Sequence, residues 1–127
     1  DWIKNMSKTI LLVEDEPALQ KVAGEILRQE GFIVKSAIDG EEAIRIIKTD
    51  KPDLVLLDLI LPKKDGFEVL KEMKADTQTK DIPVIILTNL EGTQDVERAL
   101  ELGAMNYLVK ANYELEDIVK RIKDVLK

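Results

Sequence analysis

Two unbroken apolar runs, LVLL at 54–57 and VIIL at 84–87, constrain this chain more than any other feature. Each is too short for a helix and has no polar face, so it suits a strand covered on both sides. The rest of the chain agrees. Thr9 to Val13 reads as a first strand ending at Glu14 and Asp15. Pro17 sits where a first helical turn tolerates it. Leu19, Val22, Ala23, Ile26 and Leu27 then recur at spacings of three and four, one face of a helix that Gly31 stops. Ile33 to Ala37 reads as a second strand, and Asp39 with Glu42 resembles a capping box for a helix through Ile47. The run at 54–57 ends at Asp58. Asp65 and Glu68 repeat the cap before a helix carrying Phe67, Val69, Leu70 and Met73. The run at 84–87 ends at Thr88, and a short helix through Val96, Ala99 and Leu100 stops at Gly103. Tyr107 to Val109 is the fifth strand, ending at Lys110, and Leu115, Ile118, Val119, Ile122 and Leu126 mark one face of the last helix.

Strands alternating with helices predict a parallel sheet with helices on both faces, a single doubly wound α/β domain of five βα units. The length of 127 residues is one domain's worth. Residues 1–7 are set apart as a leader, disordered or vector-derived, and 8–127 as the domain; Met6 could be a natural start. No apolar run approaches the roughly 18 residues a membrane span needs, and the first residues do not suit a signal peptide. The domain is therefore expected to be cytoplasmic and free of the membrane. The net charge of −6 argues against nucleic acid as its partner.

The chain has no Cys and no His. Disulfides, thiolate sites, Ser–His–Asp triads, zinc–histidine sites and phosphohistidine relays within the chain are excluded together. In a parallel sheet the carboxyl ends of the strands share one edge, where ligands bind. That edge receives Glu14, Asp15, Asp58, Thr88 and Lys110. Taken singly, each has an ordinary explanation: a turn acid, a helix cap, a strand-end threonine, a solvated lysine. All of them falling on the same edge does not. Two like charges about 4 Å apart repel by roughly 4 kcal/mol at an effective dielectric of about 20. Three carboxylates with only Lys110 for relief should raise a pKa or recruit a cation. Oxygen ligands favour Mg²⁺, with Mn²⁺ as its substitute. Asp58 is the best nucleophile, because a carboxylate can form an aspartyl phosphate. Lys110 and the Thr88 hydroxyl can then hold phosphoryl oxygens.

At this point the sequence resembles the receiver domains of two-component response regulators, over 8–127. The resemblance rests on LLVEDE around Glu14 and Asp15, DLVLLDLILPKKDG around Asp58, ILTN around Thr88 and NYLVKA around Lys110. It implies a flavodoxin-like, or CheY-like, fold with strand order 2-1-3-4-5. Asp58 looks like the phospho-acceptor, Asp15 like a direct Mg²⁺ ligand and Glu14 like one acting through water. The backbone carbonyl of Ile60 would be a further ligand. Thr88 and Tyr107 look like the switch pair, and Lys110 like the phosphate-pairing lysine. Pro62, Asp65 and Gly66 match the turn after the acceptor. The resemblance further implies a histidine kinase or phosphotransfer protein as donor. Output would go to a separate target protein or a homodimer, through the face of the fourth helix, fifth strand and fifth helix. Such a domain catalyses its own phosphorylation and dephosphorylation and is not a turnover enzyme.

The chain departs from the family pattern at two places. Ala111 follows Lys110 where the family usually has Pro, often through a cis bond. A cis bond before a non-proline residue costs about 2.5–4 kcal/mol, which predicts a trans peptide here. Asn89 replaces a small residue beside the phosphate. Nearby, Ile60 and Leu90 stand at the two positions through which receivers tune dephosphorylation. Both are apolar, which predicts a long-lived phosphoryl state. Two rival chemistries fit poorly. An aspartate-nucleophile phosphatase of the haloacid dehalogenase kind needs a second Asp at position 60, which is Ile. A flavodoxin-like phosphate binder wants a Ser-, Thr- and Gly-rich loop after the first strand, where Glu14, Asp15 and Glu16 stand.

Overall fold

A computed structural model describes residues 7–127. The expectation of a leader at 1–7 therefore lies, Ser7 apart, outside the described residues. The strands are β1 (Thr9–Val13), β2 (Ile33–Ala37), β3 (Leu54–Leu57), β4 (Val84–Thr88) and β5 (Asn106–Val109). They are separated by α1 (Pro17–Gln29), α2 (Gly40–Asp50), α3 (Gly66–Ala75) and α4 (Thr93–Glu101). After β5 come a 3₁₀ turn, Lys110–Asn112, and α5 (Leu115–Val125). All strands pair in parallel, in the order β2-β1-β3-β4-β5, as the resemblance implied.

Side chains alternate across the pleat, so each strand feeds two cores. Ile10, Leu12, Leu54, Leu56, Ile85 and Leu87 pack with Ala23 and Leu27 of α1 and Ile118 and Ile122 of α5. Leu11, Val13, Val55, Leu57, Val84 and Ile86 face the other way, onto α2, α3 and α4. This is why the 54–57 and 84–87 runs are apolar at every position: neither face of the central strands meets water.

The helices are started and stopped by the residues expected, with some differences. Asp39 and Asp65 cap α2 and α3, their carboxylates accepting the amides of Glu42 (2.8 Å) and Glu68 (2.9 Å). Gly31 and Gly103 follow α1 and α4 with φ of 98° and 105°. Helix α2 runs beyond Ile47 to Asp50 because Lys51, at φ 43°, takes the left-handed cap that a glycine usually fills and donates to the Ile47 carbonyl. Thr88 closes β4 from inside the strand, paired with Val109, and β5 begins one residue before Tyr107. Val22, which its spacing set on one face of a helix, and Leu100 of the short helix before Gly103 are 45% and 47% exposed. Their helices bury narrow stripes, α4 only Ala99 fully, and both residues lie on the flank. Among the described residues no peptide bond is cis, so the Lys110–Ala111 bond is trans as predicted. None of their helices is long and apolar enough to cross a membrane.

Candidate functional site

Strand register brings the acidic residues together. Val13 of β1 is the partner of Leu57 of β3, so the next residues, Glu14 and Asp58, leave adjacent strands side by side, about 5 Å apart in the sheet. This is also where the strand order turns back, since β1 lies between β2 and β3. One carboxylate oxygen from each of Glu14, Asp15 and Asp58 lies within 4.8 Å of the others. Glu14 and Asp58 are buried and Asp15 is exposed, so the cluster opens to solvent through Asp15.

Lys110, delivered by β5, reaches across the edge to both buried acids. Its Nζ lies 2.8 Å from Glu14 Oε1 and 2.8 Å from Asp58 Oδ2. The other Asp58 oxygen, Oδ1, accepts the Ile60 amide at 3.1 Å, and Glu14 Oε2 accepts the Glu16 amide at 2.9 Å. Burial pushes the Glu14 carboxyl up from its ordinary range, against the pull of Lys110. Burial works to lower the Lys110 ammonium, but its bonds to Asp58 and Glu14 together outweigh that and hold it above its usual value. Ala111 in place of proline does not stop Lys110 from reaching Asp58; the chain turns at once into the 3₁₀ turn.

Thr88 is fully buried, and its Oγ1 accepts the Leu90 amide at a long 3.4 Å. Tyr107 donates from its hydroxyl to the Leu90 carbonyl at 2.9 Å. Burial, with Asp95 and Asp58 adding to it, pushes the Tyr107 phenol up to about 12. Thr88 and Tyr107 are thus joined through one peptide unit on either side of Leu90. The Ile60 side chain is 52% exposed at the rim.

One feature of the site, Gln20, escaped the sequence expectations. Gln20 donates from its side-chain amide to the carbonyls of Glu14 (3.0 Å) and Ala37 (3.2 Å), tying α1 to the ends of β1 and β2. It stands in line with Ala23 and Leu27, so a polar residue on a buried stripe was the available signal. Gly66, which the resemblance matched to the turn after the acceptor, packs closely on the loop after Asp58. A Cβ on Gly66 would lie 2.4 Å from the Asp58 carbonyl oxygen, so only glycine lets α3 start there.

The donor set fits a hard divalent cation: three carboxylates converge, and one ammonium leaves a formal charge of −2 among these four side chains. The family model for the response regulator receiver domain matches residues 10–123. The chain is 36% identical over 118 residues to the DNA-binding dual master transcriptional regulator RpaA of Synechocystis sp., covering 93% of this chain and 48% of that protein. It is 37% identical over 122 residues to the phosphate regulon transcriptional regulatory protein PhoB of Escherichia coli, covering 96% and 53%. The chain thus spans about half the length of these curated relatives. Among solved structures, the BeF3-activated N-terminal receiver domain of Klebsiella pneumoniae RstA superposes with a TM-score of 0.85 at 30% identity, covering 94% of this chain and 99% of that one. The receiver domain of the sensor histidine kinase PA1611 of Pseudomonas aeruginosa, solved with a magnesium ion coordinated in its active-site cleft, gives 0.85 at 31%, covering 94% and 97%.

Proposed function

The chain belongs to the response regulator receiver domains of two-component systems, whose general function is a phosphorylation-dependent switch, and we propose that its phosphoryl acceptor is Asp58. The observation that carries this is the setting of that carboxylate. It is buried beside two other acids, with one oxygen on Lys110 and the other on the Ile60 amide. A nucleophile held at both oxygens loses little freedom on reaching the transition state. An Asp58 oxygen attacks the phosphorus as the bond to the donor's leaving group breaks, and the leaving group departs with that electron pair and gains a proton.

Asp15, Asp58 and the Ile60 carbonyl would hold Mg²⁺ or Mn²⁺ directly, and Glu14 through water. The ion, when bound, supplies positive charge to the transferring phosphoryl oxygens. Lys110 is poised to follow the negative charge from the Asp58 carboxylate to the phosphoryl group, and the Thr88 hydroxyl to donate to a phosphoryl oxygen. The donor in this reading is a phosphohistidine on a histidine kinase or phosphotransfer protein, since the chain has no His. Output runs through Thr88 and Tyr107 to the α4-β5-α5 face, toward a target protein or a second copy. The setting is cytoplasmic, and the domain itself contacts neither nucleic acid nor membrane.

Intact mass after acetyl phosphate treatment, with and without Mg²⁺, tests the assignment. A single Mg²⁺-dependent phosphoryl adduct on the wild type, absent from Asp58→Ala, is expected. An adduct that persists in Asp58→Ala, or none on the wild type, overturns it.

A further inference from the structure

The N-terminus of α2 touches the loop between β3 and α3 more closely than any side chain would allow. A Cβ on Gly40 would lie 1.8 Å from the Lys64 carbonyl oxygen and 2.6 Å from its carbonyl carbon. That is backbone, which cannot swing aside. The Gly40 amide also points at the Pro62 carbonyl, at 3.4 Å, and Asp39 meets Lys63 at 3.6 Å. Lys63 has a φ of 67°, so the loop holds a strained turn where it rests on the helix.

The loop's other end is pinned as tightly, because Gly66 packs against the carbonyl of Asp58 and the Cα of Leu59 and its amide bonds the Leu59 carbonyl at 3.0 Å. Between the two glycine contacts lies Ile60, whose amide holds Asp58 Oδ1. Helix α2 cannot yield readily, since Ala43, Ile44, Ile46 and Ile47 are all buried. A side chain at 40 must therefore displace the loop, and with the Gly66 end fixed the displacement falls on the stretch that carries Ile60.

We propose that Gly40 is a positioning residue for the cation and phosphoryl site: the bare N-terminus of α2 is the rest on which the post-acceptor loop is set. This depends on the reading of the acidic cluster as a cation site, and the experiment separates the two. Mn²⁺ affinity is measured by electron paramagnetic resonance on the unphosphorylated wild type, Gly40→Ala and Gly103→Ala. The last is a control at a positive-φ glycine packed on Lys74. Residues that orient metal ligands typically govern affinity by about 10- to 100-fold. Gly40→Ala should weaken Mn²⁺ by about tenfold or more and shift the Ile60 amide resonance in the metal-free protein. Gly103→Ala should lower Tm and leave both unchanged.

Wild-type protein that does not bind Mn²⁺ overturns the cation site and this inference with it. Wild type that binds, with Gly40→Ala within twofold of it or Gly103→Ala equally weakened, overturns the positioning role alone. Should Gly40→Ala not fold, a glycine inserted between Lys63 and Lys64 lifts the loop from the helix without touching the core. It must weaken Mn²⁺ likewise, and unchanged affinity refutes the proposal.

Discussion

Replacing Lys110 with Met tests the electrostatics of the site most directly, because it removes the ammonium and keeps an unbranched stem of similar length. The wild-type Nζ sits 2.8 Å from each of two carboxylates whose side chains are only 3% and 5% exposed, and Lys110 itself is 14% exposed. At an effective dielectric of about 20, each contact is worth roughly 6 kcal/mol of Coulomb attraction before desolvation is charged against it. Deleting one partner of a buried pair leaves the desolvation cost uncompensated, and costs about 3–5 kcal/mol. For a domain of this size that is on the order of 10–20 °C in Tm. The loss should depend on pH with a definite sign. Burial already holds the Glu14 carboxyl above its ordinary value, and without Lys110 it should rise further. An acid whose folded pKa exceeds its unfolded one loses stability as pH rises through that interval. The deficit of Lys110→Met should therefore be largest at neutral pH and shrink toward the ordinary carboxylate range. Mg²⁺ should raise the Tm of the variant more than that of the wild type, because the variant's site carries one more uncompensated negative charge. The assay is thermal unfolding by circular dichroism in chelator and in Mg²⁺, from pH 5 to 8. A metal-free Tm within about 3 °C of wild type at neutral pH, below 1 kcal/mol on the same scale, refutes the reasoning, as does an equal Mg²⁺ shift in both proteins.

Tyr107 should ionise near 12, read as tyrosinate absorbance in Tyr113→Phe over the pH range where circular dichroism reports a folded protein. A midpoint near the ordinary value of about 10 would mean the phenol is not buried as described. The folded pKa lies above the unfolded one, so ionisation here costs stability as pH climbs beyond about 10. Aspartyl phosphate on this chain should decay slowly, because neither the Ile60 nor the Leu90 side chain can orient an attacking water. Ile60→Asn and Leu90→Glu should shorten the lifetime of the adduct followed by mass, and unchanged decay in both removes the idea.

What could be read from the sequence was whatever depends on local pattern. The runs at 54–57 and 84–87 declared a doubly covered sheet because nothing polar interrupts them. Once the sheet was parallel, the strand ends put Glu14, Asp58, Thr88 and Lys110 on one edge, where the structure has them. What stayed hidden depends on tertiary approach. Lys51 and Lys63 take positive φ without glycine, so the end of α2 and the turn after Asp58 carry no signal of the usual kind. Gly40 reads as an unremarkable residue after a cap, until a carbonyl is found where its side chain would be. Spacing placed Val22 on an apolar face, yet it is 45% exposed, because periodicity gives the direction of a face and not its width.

The hydrogen bonds around Leu90 suggest where a signal would begin. Its amide rests on Thr88 Oγ1 at 3.4 Å, while its carbonyl receives the Tyr107 hydroxyl at 2.9 Å. The first is near the limit of a hydrogen bond and the second close to optimal. A phosphoryl group on Asp58 would offer the Thr88 hydroxyl a charged acceptor, and bonds to charged groups are roughly twice as strong as neutral ones. If the Thr88 side chain rotates to bring its hydroxyl onto the phosphate, its Oγ1 moves off the Leu90 amide, the longer of the two bonds and the one Thr88 makes. Leu90 would then be free to move with Tyr107 and not with Thr88, carrying a change at the acidic edge of the sheet to β5. The long bond is the one a switch can break at least cost, and it lies between the site and the surface.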